Sequence, residues 1–363
     1  MEMGIPLSMD RKIMSVKIKA VNKTLPNYSR NTSEIMPFLD MWLHGQEDRF
    51  IRKVKKIFEN AMVDRRYSIM SPEEVFSDLS FEERNEIYIR EGIKLGAKCL
   101  QGAIDKAGWR SKDIDFLITV SCTGIMIPSL DAYLINMLGL RQDIVRLPVT
   151  EMGCVAGVSG MIYAKNFLKA NPGKRAAVVS VESPTATFQL NDYSMANIVS
   201  AAIFGDGAAC ALLSSHPEDE GPEVLNEQMY HFYDAEGLMG FKPTNTGLQM
   251  VLDIGVPDAI EKHFPDILHP FLAQSGLEIG DMDYLIFHPG GKKIIMLVEA
   301  LFSDLGKNID ETKEVLRLYG NMSSATVLYV LERIMDSKPE SGSYGLMLSF
   351  GPGFTAQRLL LRW

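Results

Sequence analysis

The chain has 363 residues, 46% of them hydrophobic and 23% charged, with 37 basic side chains against 46 acidic ones for a net charge of −9. This fits a soluble globular protein with a large core and, by length, about two domains; the acidic balance disfavours a general nucleic-acid surface but leaves room for a local basic pocket. No uninterrupted apolar run reaches the roughly 18 residues of a membrane span and the N-terminus lacks a signal-peptide core, so the cytoplasm is the expected compartment.

Residues 1–15 hold three candidate start methionines besides Met1, namely Met3, Met9 and Met14, and read as an N-terminal extension without an assigned function. In the helix-like RFIRKVKKIFENAM at 49–62, Lys53 and Lys56 stand three apart and share a face; a solvated helix face is the ordinary reading of such a cluster. Ile93, Ala97, Leu100, Ile104 and Ala107 then keep the four-three spacing of one helical face, and Gly108 stands where a helix end takes a left-handed residue. The β-branched runs IDFLITVS, RAAVVSVES and MDYLIF alternate with such helices, which indicates an α/β architecture with sheets covered by helices. Cys99, Cys122, Cys154 and Cys210 show no CxxC spacing, so no metal site, redox dithiol or disulfide is expected.

An internal repeat organises these elements. AGWRSKDIDFLI at 107–118 aligns without gaps on SGLEIGDMDYLI at 275–286, with Gly108/Gly276, Asp113/Asp281, Asp115/Asp283, Leu117/Leu285 and Ile118/Ile286 identical. MGC ending at Cys154 and YGN ending at Asn321 each precede a helix-like run and continue the repeat at nearly the same offset, so Cys154 and Asn321 are expected on equivalent strand-to-helix turns facing one another. FGDG at 204–207 and FGPG at 350–353 each precede an apolar strand candidate and read as tight hairpin turns. The polar SSHPEDEGPE at 214–223 is the best linker, dividing the chain into 16–222 and 223–363.

Three residues carry the chemistry. Cys154, between Gly153 and a helix-like run, would place its sulfur at a helix N-terminus, where unpaired N–H groups favour a thiolate and lower the thiol pKa. His288 ends the apolar DYLIF and is followed by Pro289, Gly290 and Gly291, a turn at a sheet edge. Asn321 follows Gly320 ahead of a helix, where asparagine is by default an N-cap. Taken one at a time, a buried thiol, a structural imidazole and a cap are the simpler readings.

Taken together, HPGG, GNMSS and the terminal GPG resemble the type III polyketide synthases, the chalcone and stilbene synthase family of the thiolase superfamily. Order and spacing agree from about Ile35 to the C-terminus, through RRY at 65–67, ATF at 186–188 and FGDGAA. The resemblance implies a thiolase fold, with duplicated βαβαβ-type halves in an αβαβα layering, and a homodimer. It makes Cys154 the nucleophile that carries the acyl chain, His288 and Asn321 its partners and Phe204 an aromatic gate. Cys122, Thr123, Ile127, Pro184, Thr187, Ser200, Met250, Ser323 and Pro352 are implied as gate or cavity positions. Lys53, Lys56 and Lys293 are implied contacts for coenzyme A, with Asn60 a departure at a third basic position. Acyl-CoA starters and malonyl-CoA are the implied substrates; no cofactor, metal or carrier protein is implied.

Cys122, Ile127, Pro184 and Ser200 depart from the threonine, methionine, threonine and glycine of plant members, and SCTG at 121–124 resembles bacterial ones. A fatty acyl starter, with closure to a pyrone or resorcinol-type ring, is the favoured expectation. Alternatives are a phloroglucinol or tetrahydroxynaphthalene synthase using malonyl-CoA alone, an initiating ketoacyl-carrier-protein synthase, a hydroxymethylglutaryl-CoA synthase and, least favoured, a scaffold without catalysis.

Overall fold

The computed structural model describes residues 15–303 and 305–363. All of the expected N-terminal extension except Ser15 lies outside the described residues.

Among the described residues, the first strand set contains β1 (Lys17–Thr24), β4 (Phe116–Val120), β5 (Val145–Val149), β6 (Arg175–Glu182) and β7 (Gly207–Ser214). A small antiparallel pair, β2 (Tyr28–Asn31) and β3 (Arg65–Ser68), flanks it with α1 (Thr32–Trp42), α2 (Asp48–Glu59) and α3 (Pro72–Val75). The longer helices of this part are α4 (Phe81–Ala107), α5 (Leu130–Met137), α6 (Ala156–Ala170) and α7 (Met195–Ile203). The second set has β8 (Glu223–His231), β11 (Tyr284–Phe287), β12 (Tyr344–Gly351) and β13 (Thr355–Arg362), with a hairpin of β9 (Met239–Thr244) and β10 (Gly247–Leu252). Its helices are α8 (Val256–Ala273), α9 (Lys292–Ser303), α10 (Asp310–Tyr319) and α11 (Thr326–Asp336).

Strand order is β5-β4-β6-β7-β1 in one set and β8-β13-β12-β11 in the other, joined edge to edge where Lys17 pairs with Glu223. From β4 through β6 and β7 to β1 the pairings run parallel, antiparallel, antiparallel, and from β11 through β12 and β13 to β8 they do the same. The expected duplication is present down to single hydrogen bonds. Gly108 and Gly276 both have φ +69. Asp113 and Asp281 each accept from the backbone N–H three residues before, at 2.8 Å in both copies. Asp115 clamps the N–H of Arg175 on β6 and Asp283 that of Tyr344 on β12, at 3.0 and 2.8 Å. The aspartates recur because each copy needs one carboxylate to cap a 3-10 turn and another to start a parallel strand pair.

Helices α6 and α11 are apolar nearly all round, which requires burial on every side. They lie in one core cluster with residues of β1, β4, β6 and β7 and of β11, β12 and β13. A second cluster packs α4 and α5 on the outer side of the first strand set, and a third packs α8 and α9 against the second. This is the expected αβαβα order.

Three expectations are corrected. Cys154 and Asn321 lie on equivalent turns but not at equivalent positions: the matching 3-10 turns are Gly153–Val155 and Ser323–Ala325, with Gly153 at φ +54 and Ser323 at φ +49. Asn321 therefore lies two residues ahead of the left-handed position, whereas Cys154 follows it. Only FGPG is a hairpin turn, closing β12 onto β13 at Gly351/Thr355; FGDG leads from α7 into β7. Asp206 there takes N–H bonds from Ile69 and Thr185 at 2.8 and 3.0 Å and ties three segments together. The segment 214–223 is no loose tether, because buried Asp219 accepts from Trp109, Arg175 and Ser214.

Helix α6 lies tightly against the turn ahead of α11 at Gly157, where an added Cβ would stand 2.2 Å from the Ser324 carbonyl oxygen. Gly157→Ala is expected to force α6 and α11 apart and to cost about 1–3 kcal/mol in urea denaturation, with loss of activity. A variant as stable as the parent would show that this contact has slack.

Candidate active site

Cys154 is buried in its 3-10 turn ahead of α6. Gly153 is required before it, since a Cβ there would meet Pro352 Cδ at 2.6 Å. The Cys154 thiol donates to Ser323 Oγ at 3.6 Å, and Ser349 Oγ holds the Cys154 carbonyl at 2.8 Å. His288 follows β11, with its N–H bonded to Leu348 O at 3.0 Å; among the described residues neither ring nitrogen of this buried imidazole has a partner. Asn321 is fixed by its backbone, donating to Ile203 O at 2.8 Å and accepting from Gly205 N–H at 3.0 Å in a parallel bridge with Phe204. Its Oδ1 accepts from Ser323 N–H at 2.8 Å, which orients the amide NH2 the other way, where its protein contact is a long 3.5 Å to Gly290 O.

A void of about 680 Å³ gathers Cys154, His288 and Asn321 with Phe204, Cys122, Thr123, Pro184, Met250, Ser323 and Pro352. A second void, about 800 Å³, shares Pro184, Phe204 and Met250 with it and adds Thr187 and Ser200. Thr187 Oγ1 donates to Pro184 O at 2.8 Å and steadies that wall. Ile127 is not brought into either void within the chain; it is 90% exposed, beyond the strand end that carries Cys122. Lys53, Lys56 and Lys293 line neither void and are exposed, the first two on α2 and the third in the first turn of α9.

Residues 14–217 match the N-terminal domain of chalcone and stilbene synthases, and residues 226–363 match the C-terminal domain. The chain belongs to the chalcone and stilbene synthase family. A 1,3,6,8-tetrahydroxynaphthalene synthase of Streptomyces peucetius subsp. caesius is 34% identical over 354 residues, 95% of this chain and 93% of that one. The phloroglucinol synthase of Pseudomonas fluorescens is 30% identical over 322 residues, 88% of this chain and 92% of its own. The crystal structure of the tetrahydroxynaphthalene synthase of Streptomyces coelicolor, a bacterial type III polyketide synthase, matches with a TM-score of 0.90 at 28% identity, covering 96% of this chain and 99% of that one. The chain is thus a type III polyketide synthase of bacterial type, an acyltransferase with the thiolase fold.

One site residue of the synthase was missed by sequence reasoning. Glu182, wholly buried at the end of β6, accepts from Cys122 N–H and Thr123 Oγ1, each at 3.0 Å, and from Ser324 Oγ. The Cys122 thiol lies 3.6 Å from both Glu182 Oε1 and Ser323 Oγ, so polar contacts run from Glu182 through Cys122 and Ser323 to Cys154. The available signal was a glutamate ending the otherwise apolar AAVVSVE, where only a partnered carboxylate can be buried.

The electrostatics reverse one expectation. Burial pushes the Cys154 thiol up to about 12, against the opposing bond to Ser323. Burial alone brings the His288 imidazole down to about 3, and burial also raises Glu182 above the ordinary carboxylate range. At neutral pH, then, His288 cannot draw a proton from solvent, and a thiolate–imidazolium pair can arise only by transfer from Cys154 within the site. In His288→Gln the burial and the Ser323 bond that set the thiol remain, and the proton acceptor is gone. Its iodoacetamide labelling at about pH 7 is expected to fall at least tenfold and to recover by about tenfold per pH unit as pH rises, since a raised thiol pKa leaves the thiolate scarce below it. An unchanged labelling rate would remove His288 as the proton acceptor.

Proposed function

We propose that the synthase loads an acyl-CoA starter on Cys154, extends it with malonyl-CoA and closes the product to a pyrone, resorcinol or phenol-type ring. In loading, the Cys154 thiol passes its proton to His288, the sulfur attacks the starter carbonyl and coenzyme A leaves as its thiol. Malonyl-CoA then loses carbon dioxide, and the electron pair left behind is held as an enolate whose oxygen accepts N–H bonds from His288 and Asn321. The enolate carbon attacks the Cys154 thioester and expels the sulfur. The lengthened chain stands on coenzyme A and returns to Cys154 for the next round.

The observation that carries this reading is the meeting of Cys154, the partnerless His288 ring and the outward amide of Asn321 at one void. Phe204 beside them supplies an apolar face against which a carboxylate is desolvated. Lys53, Lys56 and Lys293 are the cations proposed for the phosphates of coenzyme A. In this reading the chain divides at 222/223 into a half with the nucleophile and a half with His288 and Asn321. Exposed Ile125, Ile127, Met137 and Val145, around α5 and the edge strand β5, support a homodimer through this flank. No described helix is long and apolar enough to cross a membrane, and substrates delivered as coenzyme A thioesters fit a cytoplasmic enzyme without a cofactor.

For the starter, the second void favours a fatty acyl chain, because beyond Phe204 its walls include Ile35, Phe58, Met70, Val75, Phe76 and Phe188. A second reading, a polyhydroxyphenol made from malonyl-CoA alone, is favoured by the tetrahydroxynaphthalene and phloroglucinol synthases among the relatives.

Malonyl-CoA incubated with acyl-CoA starters from acetyl to palmitoyl, with products read by mass spectrometry beside Cys154→Ala, separates these readings. Products that grow with the starter are expected, and none from the variant; one starter-independent polyphenol would establish the second reading. No carbon dioxide released from malonyl-CoA would overturn both. Asn321→Ala is expected to slow that release by on the order of 10²–10³ with Cys154 acylation retained; an equal loss in both steps would make Asn321 a structural cap.

A further inference from the structure

Arg66 of β3 is 7% exposed and lines the second void. Its Nη2 donates to Thr32 Oγ1 at 3.1 Å and its Nη1 reaches Ala201 O at a long 3.4 Å, while Nε has no partner. The guanidinium lies over the Phe58 ring, 5.4 Å from its centroid. It makes no ion pair among the described residues, and no aspartate or glutamate lines the void, whereas a second arginine, Arg30, does. The Ser200 hydroxyl, one residue before Ala201 on α7, lines the same void and is likewise buried without a partner. Arg84, whose Nη1 is also without a partner, ends on the carbonyls of Val75 and Ser77 at 3.0 and 2.9 Å, Arg358 ends on that of Ile267, and neither lines this void.

A buried guanidinium nitrogen and a buried hydroxyl without partners, both on residues that line one void, are costly unless a ligand completes them. Their preference is for an oxygen acceptor, and the absence of a protein carboxylate leaves room for an anionic one with bidentate geometry. We propose that this void receives acyl chains ending in a carboxylate, with Arg66 binding the distal carboxylate and Ser200 contributing a further donor. The proposal rests on the reading that the chain is carried on Cys154, whose void shares Pro184, Phe204 and Met250 with this one. It narrows the fatty acyl reading to chains whose far end carries a carboxylate, so that the preferred starter is the CoA half-thioester of a dicarboxylic acid.

The test compares kcat/KM for CoA half-thioesters of dicarboxylic acids with methyl-ended acyl-CoAs of equal carbon number, across a series of lengths and with malonyl-CoA present. The intact enzyme is expected to favour the carboxylate-ended member roughly 10- to 100-fold at its best length, the range of a charge-assisted hydrogen bond. Arg66→Gln should collapse that ratio toward unity, and Ser200→Ala should reduce it by a smaller factor. A wild-type preference for methyl-ended chains at every length overturns the proposal, and this comparison decides even if Arg66→Gln does not fold. An unchanged ratio in a folded Arg66→Gln also overturns it, as does an equal loss with both series, which marks Arg66 as structural. Acylation of Cys154, followed by intact mass, separates the two levels: methyl-ended chains loading alone sinks only this proposal, whereas no loading from either series sinks the synthase mechanism with it.

Discussion

Everything at this site depends on a few backbone contacts between the two halves of the chain. The Phe204–Asn321 bridge, with its bonds from Asn321 N–H to Ile203 O and from Gly205 N–H to Asn321 O, fastens the FGDG segment to the turn before α11. A short distance on, Gly157 lets α6 press against the Ser324 carbonyl. Cys154 at the head of α6 and Ser323 at the head of α11 meet at 3.6 Å because those helices abut. His288 joins them from the end of β11, registered by Leu348 on β12. A site held by main-chain bonds constrains side chains elsewhere only weakly, which accounts for a TM-score of 0.90 to a relative sharing 28% of residues.

Closing the two halves on one another also dries the seam. Cys154, His288 and Glu182 each lose hydration, and each is displaced toward its neutral form. Cys154 and His288 therefore do not stand as a charged pair in the unliganded site. Charge has to be created by proton transfer between groups already present, or brought in by the substrate's own carboxylate, and in a dry cavity either event meets donors fixed beforehand. The Glu182–Cys122–Ser323 contacts extend this logic, because they place a buried carboxylate three contacts from Cys154.

Much of this was legible in the chain. The repeat was readable because Asp113 and Asp281, Asp115 and Asp283, and Gly108 and Gly276 do local work that any copy of the unit must repeat. The trio was readable because each member sits beside glycine at an element end. What failed was whatever depended on partners distant in sequence. FGDG and FGPG look alike, yet one leaves a helix and the other turns a hairpin. Cys154 and Asn321 share an offset near that of the repeat, yet the left-handed Ser323, held by the Asn321 side chain, takes the position of Gly153. The helix-end argument for Cys154 weighed one local field and had no access to the burial that raises the thiol. Arg66 was read only as part of RRY, since nothing in sequence reveals that its neighbours in space include no acid.

Chemistry and specificity occupy physically separable parts of this molecule. The seam is built from turns whose backbones interlock, so a substitution there disturbs the reacting geometry at once. Both voids are lined by Pro184 from a 3-10 turn, Phe204 from the end of α7 and Met250 from β10, three elements with no covalent register in common. Exchanging one of those side chains reshapes both voids while the bridge at Asn321 and the Cys154–Ser323 contact stay in place. The departures from the plant pattern at Pro184 and Ser200 fall on this wall and leave the Phe204–Asn321 bridge intact. A family that keeps one condensing seam can therefore change its starter by altering walls alone. The starter of this member is accordingly to be sought in what lies behind Phe204, where Ser200 departs from the plant pattern, rather than in the trio it shares with its relatives.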